Sequence, residues 1–206
     1  IEIGKSLNKN RFNIEKAYFA ALTKQRKFHE IEKKGYLTEK AIKITNSSNS
    51  KINFKKTRAE DKKLSVVVLG HNYIIGDEYL NIGLWQKLNE LGVRYITSEM
   101  LEDKIKEKAA KYQKKNSFWH FNRLLMGTAY HYLYDNPQKI DGIIQVNAFG
   151  CGPDSLIKEL IDLKAKKTAS ISVLNINLDE HSGQEGFITR LEAFIDLLKR
   201  KKEKAL

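Results

Sequence analysis

Four short apolar runs, separated by stretches with helical periodicity, constrain the fold more than any other feature of the sequence. They cover residues 64–69, 93–97, 142–147 and 171–176. The first run, LSVVVL, is rich in β-branched residues, as expected for a strand that is covered on both faces. Strands that alternate with helices predict an α/β fold: an open, mostly parallel four-stranded sheet with right-handed crossovers and helices on both faces.

The positive charge of the chain is concentrated near its N-terminus. The formal net charge is +12 at pH 7, but residues 1–63 hold 17 Lys and Arg against 7 Asp and Glu. Residues 64–206 hold 20 against 18 and are therefore nearly neutral. The charge thus belongs to an arm in front of the α/β domain and not to the domain itself.

The arm also has a pattern of its own. Apolar residues at helical spacing predict an amphipathic helix over about residues 12–33, and a shorter helix is expected over 38–44. A polar stretch at 45–50 and a basic run at 55–63 predict a linker. We therefore divide the chain into a basic helical arm with a polar linker, residues 1–63, and an α/β domain, residues 64–206.

Several classes of protein are excluded by what the sequence lacks. No run approaches the ~18 apolar residues of a membrane span, and no signal peptide opens the chain, so a cytoplasmic protein without a membrane partner is expected. The single cysteine, Cys151, excludes an internal disulfide framework and a self-sufficient cysteine metal cluster. The first residue, Ile1, leads us to expect that the sequence is cut from a longer protein.

Ligands of open parallel sheets bind outside the carboxyl ends of the strands, near the point where strand order reverses. This rule selects the loops at residues 70–78, 149–155 and 179–185, which concentrate Gly, His, Cys and carboxylates. The first loop follows neither the dinucleotide nor the Walker A pattern, so no nucleotide fingerprint is present.

The second loop contains the cysteine. Cys151 lies between Gly150 and Gly152, just before a helix that Pro153 can open. A helix N-terminus stabilises a thiolate, and flanking glycines let a large or inorganic partner approach the sulfur. The alternative is a small buried cysteine at a tight turn.

The third loop offers Asp179, Glu180, His181 and Glu185 within seven residues. These side chains suit a divalent metal or a histidine–carboxylate acid–base pair. In the alternative, Asp179 and Ser182 cap the last helix while Glu180 and His181 face solvent. A zinc site would need about four ligands, so Cys151, His71, His181 and one carboxylate could form one only if the three loops converge.

Four stretches, at residues 70–78, 118–123, 149–155 and 179–194, carry a family resemblance. With the motifs FGCGPDS and DEHSG in this order, the chain resembles the C-terminal part of the acyl-CoA dehydratase activase-related proteins. These are relatives of the iron–sulfur subunits of 2-hydroxyacyl-CoA dehydratases. Relatives usually have proline where this chain has Asn72.

The resemblance implies a Rossmann-like domain that supplies one ligand, Cys151, to a 4Fe-4S-type cluster. Such a cluster needs about four ligands, so the remaining cysteines are expected upstream and the fragment is expected to be inactive alone. The implied partners are the upstream domains of the same chain, an ATP-dependent activase module and acyl-CoA as a candidate substrate. The implied chemistry is reductive, and no catalytic residue is assigned. Residues expected around the cluster or against a substrate are His71, Asn72, Gly150, Gly152, Asp154, Ser155, Asp179, Glu180 and His181.

Two other functions remain open. The arm could make the chain a non-catalytic docking module of a multidomain activase complex. Nucleic-acid binding is a weaker third hypothesis, and it predicts association that weakens steeply with salt.

Overall fold

The computed structural model describes residues 2–47, 64–115, 117–168 and 171–204. Its centre is a four-stranded, all-parallel sheet with the strand order β2-β1-β3-β4. The strands are β1 (Leu64–Leu69), β2 (Val93–Thr97), β3 (Gly142–Ala148) and β4 (Ser172–Leu178). The predicted α/β class and all four strands are confirmed: β1 and β2 have the predicted bounds, and the ends of β3 and β4 differ from the predicted ones by one or two residues.

Helices precede, connect and follow the strands. They are α1 (Glu2–Ser6), α2 (Arg11–Lys33), α3 (Thr38–Asn46), α4 (Asn72–Ile75), α5 (Leu84–Glu90), α6 (Asp103–Ala110), α7 (His120–Tyr130), α8 (Gly152–Thr168) and α9 (Gln184–Lys204). A 3-10 turn, Ser98–Met100, follows β2, and a π-helical turn, His131–Asp135, extends α7. No helix in the described ranges is long and apolar enough to cross a membrane.

Both faces of the sheet are covered, as β1 shows residue by residue. Side chains of a strand alternate between the two faces. Val66 and Val68 belong to one buried cluster, which also contains Leu88 of α5 and Leu191 of α9. Val67 and Leu69 belong to the other cluster, with residues of α6, α7 and α8. An apolar residue at nearly every position of β1 therefore follows from burial on two sides.

The N-terminal arm is helical, as predicted. The side chain of Asn10 caps α2 by accepting the Asn13 N–H at 2.8 Å. Most of α2 is exposed, and Ile31 and Glu32 near its C-terminus are its buried residues. The first two residues of the predicted linker over 45–50 belong to α3, and Ser47 is the C-cap of that helix. Residues 48–50 and the basic run at 55–63 lie outside the described residues.

The order of the strands determines where along the sheet a ligand can bind. The chain adds β2 on one side of β1 and then returns to add β3 on the other side. The carboxyl ends of β1 and β3 therefore form the topological switch point, where a crevice opens between the loops that follow them.

Candidate functional site

The loops after β1 and β3 meet at a buried aspartate. Asp154, in the first turn of α8, is only 1% exposed. Its Oδ1 atom lies 2.9 Å from His71 Nε2 and accepts a hydrogen bond of 2.6 Å from Asn122 Nδ2. The structure thus brings together the predicted residues His71 and Asp154, which are 83 positions apart in the sequence.

Sequence reasoning did not single out Asn122, although it lies in the stretch 118–123 that carries the family resemblance. Asn122 is buried and is supplied by α7. Its position in that stretch was the one signal that could have identified it.

Asp154 and His71 each stabilise the charged form of the other. Burial alone would raise the pKa of Asp154, but the hydrogen bond from His71 and its positive charge lower it below the usual value. The hydrogen bond to Asp154 raises the pKa of His71 despite partial burial. The second oxygen, Oδ2, is buried and has no hydrogen-bond partner of good geometry among the described residues. The Cys151 thiol is nevertheless close enough to interact with this carboxylate.

Cys151 forms the turn that starts α8. Its N–H donates to the Ala148 carbonyl at 3.2 Å, and its own carbonyl accepts the Ser155 N–H and Oγ–H at 3.0 and 2.9 Å. Gly150 has a φ of +79°, a conformation that favours glycine. A Cβ at Gly150 or Gly152 would meet nothing within 4 Å, so open space flanks the half-buried cysteine on both sides.

The expected stabilisation of a thiolate at Cys151 is wrong for this environment. Burial raises the pKa of the thiol, and the neighbouring Asp154 carboxylate raises it further, although the Asp154 backbone N–H opposes the shift. Burial has the largest effect on this thiol, and the N–H at the start of α8 offsets only part of the rise in its pKa.

Asn72 and two aromatic rings surround His71. Asn72 Oδ1 lies 3.1 Å from Thr38 Oγ1 of α3, which ties the arm to the first loop. The Tyr73 ring stacks on the imidazole of His71 at 5.6 Å, and Phe121 meets it edge-on at 6.2 Å. Both rings are largely exposed, and so they give the mouth of the site an apolar rim.

The third loop, residues 179–185, is held by hydrogen bonds among its own residues. Asp179 Oδ1 accepts the His181 N–H at 3.0 Å and the Ser182 Oγ–H at 2.8 Å. The side chains of Glu180 and His181 are 80% and 86% exposed. Glu180 and His181 therefore face solvent, as in the alternative interpretation, but the hydrogen bonds of Asp179 close the turn before α9 and do not cap that helix, which begins at Gln184.

No converging metal site forms in the described parts of the chain. They contain no group of three or more His, Cys, Asp or Glu side chains placed to hold a metal ion. The zinc site that would have required the three loops to converge is therefore not formed there. Cys151 remains a single thiol donor at the edge of the sheet.

A large cavity lies next to the His71 loop. It has a volume of about 890 Å³ and is enclosed by α2, the loop after β1, the segment from Ser98 through α6, and α7. Its buried polar lining includes Glu32, whose carboxylate accepts from Thr38 Oγ1 at 2.8 Å and lies 3.2 Å from His29 Nδ1. Sequence reasoning missed this cavity because its walls come from four separate segments.

Comparison with known families agrees with the resemblance. Residues 1–101, just under half of the chain, match the family described as CoA enzyme activase uncharacterised domain (DUF2229), so this part of the chain is similar to an activase-related domain. The matched range runs from the arm through β2 and contains His71 and Asn72, whereas Cys151 and Asp154 lie beyond it. No curated protein matches the chain.

Proposed function

We propose that this activase-related chain supplies Cys151 as one ligand of a 4Fe-4S-type cluster in a cytoplasmic iron–sulfur protein of the 2-hydroxyacyl-CoA dehydratase type. The observation that carries the proposal is the position of Cys151 at the switch point, with open space beside both neighbouring glycines. An inorganic cluster is bulky and needs such space around the sulfur.

The single cysteine of the chain could supply one of the ligands of such a cluster. A cluster held by cysteines needs about four thiolates, or three and an exogenous ligand. The chain has one cysteine, so the other thiolates would come from other segments or other chains. When bound, the cluster would supply low-potential electron transfer for reductive chemistry on acyl-CoA, with an ATP-dependent activase module as the electron donor.

The residues around Cys151 would then influence the loss of its thiol proton. A cysteine must lose its thiol proton when it binds a metal. The buried Asp154 Oδ2 lies on the side of the carboxylate that His71 and Asn122 leave open. Before a cluster binds, we expect this oxygen to accept a hydrogen bond from the Cys151 thiol, while His71 balances the carboxylate charge.

The experiment is anaerobic expression of the complete gene that encodes this sequence, with wild type compared against Cys151→Ser. Iron and acid-labile sulfide per chain and visible absorption are measured. We expect Cys151→Ser to lose most of the cluster. The control is His181→Ala, an exposed residue of the third loop, which should keep it. Full iron content in Cys151→Ser would remove Cys151 from the ligand set.

A second candidate function is supported by the arm. Phe12, Tyr18 and Phe19 are exposed on a basic helix, as in a segment that docks onto a neighbouring domain or subunit of an activase complex. In that case the double variant Phe12→Ser/Phe19→Ser should abolish assembly, measured by light scattering after gel filtration. Cys151→Ser should then leave the activity of the complex intact.

A further inference from the structure

His71 lies between a buried carboxylate and the large cavity beside its loop. Asp154 is 1% exposed and contacts His71 Nε2 at 2.9 Å, whereas the side chain of His71 is 17% exposed and lines the cavity. Neither Asp154 nor Cys151 lines it. The cavity has a volume of about 890 Å³, which lies within the roughly 300–1,000 Å³ typical of organic-ligand sites.

The carboxylate determines which ring nitrogen of His71 exchanges protons. An ionised carboxylate only accepts hydrogen bonds, so Nε2 keeps its N–H toward Asp154 in both charge states of the ring. Asn122 donates to the same carboxylate oxygen at 2.6 Å and so helps to fix it. Nδ1 is then the atom at which His71 gains or loses a proton. A buried aspartate sets the tautomer and orientation of a histidine in the same way in acid–base catalysis.

The second ring nitrogen is open to a ligand. Nδ1 has no hydrogen-bond partner in the parts of the chain that the structure describes, and it is not a buried atom. The Tyr73 ring stacks on the imidazole at 5.6 Å, and Phe121 meets it edge-on at 6.2 Å. A group that reaches Nδ1 would therefore lie beside aromatic rings, which favours a flat aromatic ligand.

The rest of the wall suits a largely neutral organic body. Phe28 of α2, Leu101 after β2, and Leu124 and Leu125 of α7 give it an apolar part. Four acidic side chains and three lysines also line the cavity within the described ranges, so the wall does not select a ligand by its net charge. Selection must then come from apolar contact and from hydrogen bonding at His71.

We propose that this cavity binds a hydroxyaromatic compound and that His71 Nδ1 exchanges a proton with its hydroxyl oxygen. Imidazole and phenol groups ordinarily ionise at about pH 6.5 and about pH 10, close enough to share a proton, whereas an aliphatic hydroxyl holds its proton far more tightly. The neutral ring accepts the O–H proton at Nδ1: the O–H bond breaks, its electron pair stays on oxygen, and Asp154 balances the imidazolium. In the reverse step the proton returns to oxygen, so no further reactant is needed.

His71 is the catalytic residue of this transfer, because it touches the reacting oxygen. Asp154 and Asn122 act through His71 and are positioning residues. The proposal goes beyond the cluster proposal and does not depend on Cys151 as a ligand. Its test needs no iron, so the two proposals can fail separately.

The test compares 4-nitrophenol with 4-nitroanisole, the methyl ether that has the same ring but no exchangeable proton. Their binding to the intact chain is measured by titration calorimetry at about pH 5.5, about pH 7 and about pH 9. We expect 4-nitrophenol to bind at least about 10-fold more tightly than 4-nitroanisole at the middle pH. Its affinity should fall at least about 3-fold at both other values, because the tight complex holds a single proton between Nδ1 and oxygen. The affinity for 4-nitroanisole should change little.

Other ionisable groups around His71 and the cavity must be separated from this effect. They include Asp154 of α8, Glu99 after β2, Tyr73 of α4, His29 and Glu32 of α2, and His120 of α7. The two other histidines ordinarily titrate in the same range as His71. The control is therefore His120→Gln, an exposed histidine of the same cavity, which should keep both the preference for 4-nitrophenol and its pH profile.

His71→Gln should bring the two probes to within about 2-fold of each other at the middle pH and remove the rise in affinity between the lowest and middle values. Asp154→Asn should flatten the same rise while 4-nitroanisole still binds, which a purely structural role of the pair would not produce. Equal binding of the two probes by wild type, no binding of either, or an unchanged profile in His71→Gln would overturn the proposal. The wild-type comparison decides the matter even if His71→Gln fails to fold.

Discussion

The substitution Asp154→Asn tests the buried contact at the switch point most directly. It keeps the shape of the side chain but removes the charge that pairs with His71. Asp154 is 1% exposed, and the side chain of His71 is 17% exposed, so water can replace the lost interaction only in part. The change also leaves Asn122 with a weaker acceptor.

The expected cost follows from these contacts. A hydrogen bond to a charged group contributes roughly 1.5–3 kcal/mol, and breaking a fully buried ion pair costs about 3–5 kcal/mol. His71 reaches solvent, so we expect a loss near the lower range, about 2 kcal/mol of unfolding free energy at pH 5.5. For a chain of this size that corresponds to a fall in Tm of roughly 4–8 °C.

The pH dependence gives the sharper test. The pKa of His71 is raised above its ordinary 6.5, so its contribution is complete below 6.5 and is lost as pH rises through the raised value. The pKa of Asp154 is lowered below its ordinary 3.8, so its contribution is complete above 3.8 and is lost as pH falls through the lowered value. The difference between wild type and Asp154→Asn should therefore be largest between these two ordinary values and smaller at about pH 9.

The assay is urea unfolding followed by circular dichroism at about pH 5.5 and about pH 9, with the slope m compared between variants. A double-mutant cycle with His71→Ala should give a coupling of about 1–3 kcal/mol at the lower pH. The control Glu180→Gln, at an exposed carboxylate beside His181, should show no measurable change. A difference that is identical at both pH values would refute the ion pair.

Three further predictions concern packing and reactivity. Gly127→Ala should destabilise the chain by about 3 kcal/mol or more, because its Cβ would lie 2.1 Å from a backbone oxygen of α6. The matched control is Gly152→Ala, where a Cβ meets nothing within 4 Å. Equal unfolding midpoints of the two variants would contradict the clash. Trp85→Phe removes the 2.6 Å hydrogen bond to the Ile75 carbonyl and should cost about 1–3 kcal/mol in urea unfolding, so an unchanged midpoint would argue against that bond. Cys151 should react with iodoacetamide more slowly near neutral pH than a free thiol, because burial and the Asp154 carboxylate raise the pKa of its thiol. Asp154→Asn removes the second of these effects and should speed the reaction. A wild type that reacts faster than this variant would contradict the prediction.

The sheet was predictable because its signal is local. Each strand is a short apolar run, and burial on both faces requires apolar side chains at successive positions, as in Val66, Val67 and Val68. The edge that holds Cys151 and His71 was also predictable, since the carboxyl ends of parallel strands share one edge of the sheet. The third loop was less predictable: its two interpretations were a metal or acid–base site and a cap on the last helix, whereas its hydrogen bonds close the turn around Asp179 itself.

The contacts within the site were not predictable in the same way. Asn122 reaches Asp154 because α7 packs against α8, and Glu32 and Glu99 line one cavity because α2 lies over the carboxyl end of β2. No spacing in the sequence encodes such approaches between distant segments.

Local patterning thus determined the α/β class, the four strands, the helical arm and the three candidate loops. Only the tertiary structure decided which loops meet. The strand order β2-β1-β3-β4 places β1 beside β3, and this neighbourhood brings His71 within 2.9 Å of Asp154. It also decided the surroundings of Cys151, because the burial and the nearby carboxylate that raise the pKa of its thiol exist only in the folded chain.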